Sequence, residues 1–64
     1  MTNCYTIVRN GITDEVHLIP VTNLLDANGN EILDLDLAVS FVAPLPDGQW
    51  LAASVADFDV YRLH

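Results

Sequence analysis

Nine Asp and Glu against Arg9 and Arg62, with no lysine, give this 64-residue chain a formal net charge of −7. That balance repels nucleic acid and anionic membranes, which are held through clustered Lys and Arg. The length sets one domain, residues 1–64, with a thin core, and a hydrophobic fraction of 52% excludes a disordered chain because enough apolar surface is present to offset the entropy of ordering.

Taken in chain order, residues 4–9 (CYTIVR) and 15–21 (EVHLIPV) are rich in β-branched and aromatic residues, and NGITD between them supplies turn chemistry, so they read as a β-hairpin. With residue 9 opposite residue 14, Tyr5, Ile7, Val16 and Leu18 share one face. Cys4, Thr6, Val8, Glu15, His17 and Ile19 then share the other. Pro20 donates no ladder hydrogen bond, which ends or bends this strand or puts it at an edge. Asn28-Gly29 tolerates positive φ and is flanked by apolar residues, predicting a tight reversal over 27–30. The stretch that follows alternates strictly. A strand places Leu33, Leu35, Leu37, Val39 and Phe41 inward and Asp34, Asp36, Ala38 and Ser40 outward, whereas a helix would spread the aspartates round all sides.

Two prolines and Asp-Gly in APLPDGQ (43–49) predict a reversing loop. Residues 50–58 fit both a strand and helical spacing. The preferred reading is a strand, a short turn near 55–57 and a final strand FDVYRL, with one helical turn near 53–57 as the lesser alternative. The elements together predict a mainly β fold: a small antiparallel sheet or an SH3-like, partly open barrel of about five strands.

Motifs that would carry chemistry are weak. Asp26, Asn28 and Asn30 imitate the first three ligands of a calcium loop, but its required sixth-position Gly and twelfth-position Glu are here Glu31 and Leu37. Cys4, His17 and Glu15 could approach one another diagonally across the hairpin as an activated thiol, at a separation of roughly 7–8 Å that is too long for a hydrogen bond. Cys4, His17 and His64 have no zinc-ligand spacing, and Ser40 and Ser54 have no arranged histidine partner. The expectation is a non-enzyme with no cofactor and no metal. A single cysteine forbids an intramolecular disulfide, so a reducing cytoplasm is the simplest location. The opening residues MTNCYTIVRN lack the pattern of a signal peptide, and no apolar run reaches the length of a membrane span.

Charge therefore carries the functional expectation. On one strand face the Asp34 and Asp36 carboxylates would stand roughly 6.5–7 Å apart, and Asp57 and Asp59 repeat the spacing. Such pairs resemble the regular charge of a nucleic-acid backbone and attract surfaces built to hold one. The chain is expected to be an acidic inhibitor that occupies a basic, nucleic-acid-binding protein surface, in the style of bacteriophage host-takeover or counter-defence proteins, including those directed at CRISPR complexes. Asp34, Asp36, Asp57 and Asp59 would supply complementarity, and Trp50 or Tyr61 the apolar anchor. The competing expectation is a structural or assembly module that packs on copies of itself or into a larger complex. Val8, Ile19 and Val42, on nominally outer faces, are the apolar surface that oligomerisation would hide.

Overall fold

The computed structural model describes residues 2–63. The chain is mainly β, as its sequence indicates, and the strands form two small antiparallel sheets. The three-stranded sheet has the order β2-β1-β7, from β2 (Val16–Pro20), β1 (Cys4–Arg9) and β7 (Val60–Arg62). The four-stranded sheet has the order β4-β3-β5-β6, from β4 (Glu31–Ile32), β3 (Asn23–Leu25), β5 (Ser40–Pro44) and β6 (Trp50–Ser54). The strands number seven among the described residues because segments as short as β3, β4 and β7 complete the sheets that the longer ones begin.

The first hairpin pairs Arg9 with Val16 and Tyr5 with Pro20. Its register is two residues from the expected one, since the loop takes six residues, closed by Asn10 N–H to the Glu15 carbonyl at 2.8 Å. A shift of two preserves every face assignment, because side chains alternate with period two. Within that loop the Asn10 carboxamide oxygen accepts from Ile12 and Thr13 N–H, and Asp14 takes φ 62°. Strand β2 ends at Pro20 and lies at the sheet edge, both of which a missing donor favours. At once the chain changes sheets: Val21 N–H still bonds the Cys4 carbonyl, while Thr22 N–H already bonds Val42 of β5.

The reversal at 27–30 forms as the turn residues predict, and the loop expected over 43–49 is confined to 45–49, because Ala43 and Pro44 belong to β5. Asp26 accepts from the N–H of Asn28 and Asn30 through its side chain, and Gly29 takes φ 82°. Gly48 takes φ 89° between β5 and β6, a left-handed value that glycine adopts without steric cost.

The alternating stretch 33–41 is not one strand. Strands β4 and β5 pair with opposite edges of β3, so the chain between Ile32 and Ser40 must cross from one edge of β3 to the other, a path of roughly 10 Å across the sheet. An unbroken strand runs along a sheet and cannot make that crossing. A 3-10 turn at Leu35–Leu37 makes it instead, capped by Asp34, whose carboxylate accepts from Asp36 N–H at 3.0 Å. Aspartate is suited to this, because its short side chain offers the backbone a local partner in place of the ladder. Of the five apolar residues expected inside, Phe41 is buried and Leu35 packs against the core, while Leu33, Leu37 and Val39 are exposed.

After β6 a second 3-10 turn, Val55–Asp57, is capped by Ser54, whose hydroxyl accepts from Ala56 N–H. Strand, short turn and final strand thus follow in the preferred order, with the turn helical as in the lesser alternative and the final strand shortened from FDVYRL to Val60–Arg62. The core lies between the sheets: Cys4, Ile19 and Val21 from one side meet Leu24, Phe41 and Ala43 from the other. Phe41 meets Phe58 edge to face at 5.7 Å. Buried Thr6 donates its hydroxyl to the Asp59 carbonyl at 2.9 Å, joining β1 to the start of β7. Val8 and Ile19, nominally outer, belong to the core or pack against it. The Cys4, Thr6 and Ile19 face of the hairpin is the one that the second sheet covers. No helix among the described residues is long and apolar enough to cross a membrane.

Candidate binding surfaces

Asp34 and Asp36 do not project from a strand face. They flank the start of the 3-10 turn, and Arg62 of β7 reaches across to both, with its guanidinium 3.4 Å from Asp34 and 3.1 Å from Asp36. The contact with Asp36, a side-chain hydrogen bond reinforced by opposite charge, raises the Arg62 pKa above its ordinary value. Asp34 adds to the effect and desolvation opposes it. The other arginine, Arg9, pairs with Asp14 at 2.7 Å. Both arginines are thus engaged by the chain's own carboxylates. Asp26, Glu31, Asp47, Asp57 and Asp59 form no ion pair with a cation among the described residues.

Asp57 and Asp59 are both exposed, but they do not repeat a strand spacing. Asp57 ends the second 3-10 turn, and Asp59 leads into β7, with its carbonyl accepting from Ile7 N–H at 3.3 Å. That bond extends the β1–β7 register by one pair beyond Thr6 and Val60.

The two proposed aromatic anchors lie on different sheets. Trp50 is 63% exposed at the start of β6, paired with Pro44. Tyr61 is on β7, stacked on its cross-strand partner Tyr5 with ring centroids 5.5 Å apart. Alternation along β1, β2 and β7 puts Tyr5, Tyr61, Ile7, Leu18 and Pro20 on the face that turns away from the core. Leu18 is 68% exposed there and neighbouring Leu63 59%. Tyr5, Leu18, Pro20 and Leu63 wall a shallow hollow of about 360 Å³. Sequence reasoning put Tyr5, Ile7, Val16 and Leu18 together but did not identify theirs as the uncovered face. The signal was present in the opposite set, where small Cys4 and Thr6 allow a second sheet to approach closely.

The thiol and imidazole are not brought together. Cys4 is buried at the start of β1 next to Val21, whereas His17 pairs with Val8, four residues and roughly 13 Å along the strand. His17 is 3.6 Å from Glu15 and lines a second shallow recess with Val8, Asn10, Leu45, Pro46 and Asp47. No group of three or more His, Cys, Asp or Glu among the described residues could hold a metal ion. His64 lies outside the described residues. No protein-family model, no curated protein and no solved structure matches the chain.

Proposed function

We propose that the protein is a non-enzymatic binding module that occupies a basic surface of a partner protein, of the kind that holds nucleic acid, and blocks it. One observation carries this proposal: with both arginines paired internally, five carboxylates have no cationic partner among the described residues, so the field around the molecule is negative and uncompensated. Such a field steers a positively charged partner toward the protein and repels nucleic acid, its competitor for the same surface. Asp57 and Asp59 belong to the unpaired set. Asp34 and Asp36 share Arg62, which makes them the weaker half of the acidic surface. Trp50 and Tyr61, both exposed, supply apolar contact from two different faces.

A second function, assembly with copies of itself, is favoured by the uncovered apolar face of the three-stranded sheet, because contiguous apolar patches on small proteins mark contact sites. The two are separated by affinity capture on the tagged protein from its native lysate, washed at low and at high salt. Recovery of a nucleic-acid-binding protein that high salt or added duplex DNA releases supports the blocking module. Recovery of only the protein itself, resistant to salt, overturns it in favour of assembly.

A further inference from the structure

Building on the proposed basic partner, we infer that the outer face of the three-stranded sheet is the contact surface, and that it is built to take an arginine flanked by apolar side chains. Antiparallel pairing sets out this face in cross-strand rows. Pro20, Tyr5 and Tyr61 form one row by their pairings. Leu18 and Ile7 form the next, which Asp59 completes through its carbonyl bond to Ile7 N–H. Period two therefore places Asp59 on the same face as the stacked Tyr5–Tyr61 pair, one row away, with the Cα atoms of residues 59 and 61 roughly 6.5–7 Å apart.

A planar guanidinium laid on the exposed Tyr61 ring would have an aromatic face beneath it and a carboxylate at its edge. These are the two groups that recognise arginine best. The hollow walled by Tyr5, Leu18, Pro20 and Leu63, about 360 Å³, accepts a neighbouring aliphatic or aromatic side chain, so the occupant carries both. Charge decides against a second copy as that occupant. The chain has two arginines and no lysine, both arginines are engaged by their own carboxylates, and each copy carries −7. The far end of the face does not repel a cation, because Arg9 there is neutralised by Asp14 at 2.7 Å.

The test is a titration of the ¹⁵N-labelled full chain, followed by amide shifts, with acetyl-Leu-Arg-Phe-amide and with its citrulline counterpart, which keeps the shape and removes the charge. The expected result is a set of shifts centred on Tyr5, Ile7 and residues 59–63, with the arginine peptide binding about tenfold more tightly than the citrulline peptide. Asp59→Asn should reduce that preference to the part the Tyr61 ring supplies, and Leu18→Ser should weaken both peptides alike. Both substitutions are at exposed side chains, and the spectrum itself reports whether the fold is intact. Salt-sensitive binding of the arginine peptide centred on Asp34 and Asp36 would overturn this inference while leaving the basic-partner proposal standing. Equal affinity of the two peptides, or no shift at millimolar peptide, would overturn the arginine site. Shifts that depend on protein concentration alone would assign the face to a second copy.

Discussion

Phe41→Ala tests whether the two sheets are held by one small core. Phe41 is fully buried in β5, an interior strand of its sheet, and its ring meets Phe58 edge to face at 5.7 Å. Removing a buried phenylalanine ring costs about 3–5 kcal/mol through lost transfer energy and the cavity left behind. A chain of 64 residues has a total stability of only about 3–10 kcal/mol at typical per-residue values. The substitution therefore removes between a third and all of it. With a urea dependence near the low end for small proteins, about 1 kcal/mol per molar, the midpoint should fall by roughly 3–5 M, which unfolds the variant without denaturant wherever the parent's stability lies at the low end of its range. Far-UV circular dichroism is the appropriate readout, because Trp50 is 63% exposed and its fluorescence changes little on unfolding. Phe58→Ala, at a half-buried position, should cost less, and the double variant should reveal a coupling of about 0.5–1.5 kcal/mol for the aromatic pair. A midpoint shift below about 1 M for Phe41→Ala would refute the placement of Phe41 at the centre of the core.

The other expectations are smaller and separable. Gly48→Ala, at φ 89°, should destabilise by about 1 kcal/mol, while Gly11→Ala, at an open position without positive φ, should be neutral or stabilise by up to about 1 kcal/mol; urea midpoints decide both. Cys4, 4% exposed, should react with a maleimide more than about a hundredfold more slowly than a free thiol, at a rate set by opening of the structure, and immediate labelling in native buffer would contradict its burial. Arg62→Gln should leave the midpoint nearly unchanged, because its partners are exposed and surface ion pairs contribute little. A raised arginine pKa means that the Arg62 contribution is fully present below the unfolded-state value and is lost only as pH rises through the higher folded one. A stability profile from neutrality to about pH 10 should therefore contain no step that Arg62→Gln removes.

Much of the fold was legible because local chemistry and alternation agree in it. The first hairpin, the turns at Asn28-Gly29 and Asp47-Gly48, the end of β2 at Pro20 and the strand-turn-strand order after Trp50 each rest on a residue with a restricted backbone or on a short apolar repeat. Residues 31–42 misled because the alternation of leucine and aspartate is real but is not used as a strand. Whether a segment may continue as a strand depends on which edge of β3 its two ends join, and that is a long-range property. The same long-range fact hid the contact of Arg62 with Asp34 and Asp36, separated by up to 28 residues in sequence. It also left Val8 and Ile19 nominally outside until the second sheet covered them. Tyr61 and Asp59 were singled out from composition and charge, but only the β1–β7 pairing gives them Tyr5 and Ile7 as neighbours.

The placement of the two arginines changes what the acidity can do. Without carboxylate neighbours, the two exposed arginines would stand as unpaired positive points on the negative surface. Arg9 is instead spent on Asp14 beside the first loop, and Arg62 on the two aspartates of the crossing turn. Each is thereby neutralised where it stands, while Asp59, which the β1–β7 register carries onto the apolar sheet face, and Asp57 before it are left without an ion-pair partner among the described residues. Charge reversal should therefore be asymmetric. Asp59→Lys adds a cation beside an apolar face and should abolish binding of an arginine-bearing partner. Asp36→Lys removes one of the two partners of Arg62 on another surface and should reduce only the long-range, salt-dependent part of association, seen as a slower on-rate with an unchanged off-rate. Equal effects of the two substitutions on the off-rate would mean that the contact is centred on the crossing turn.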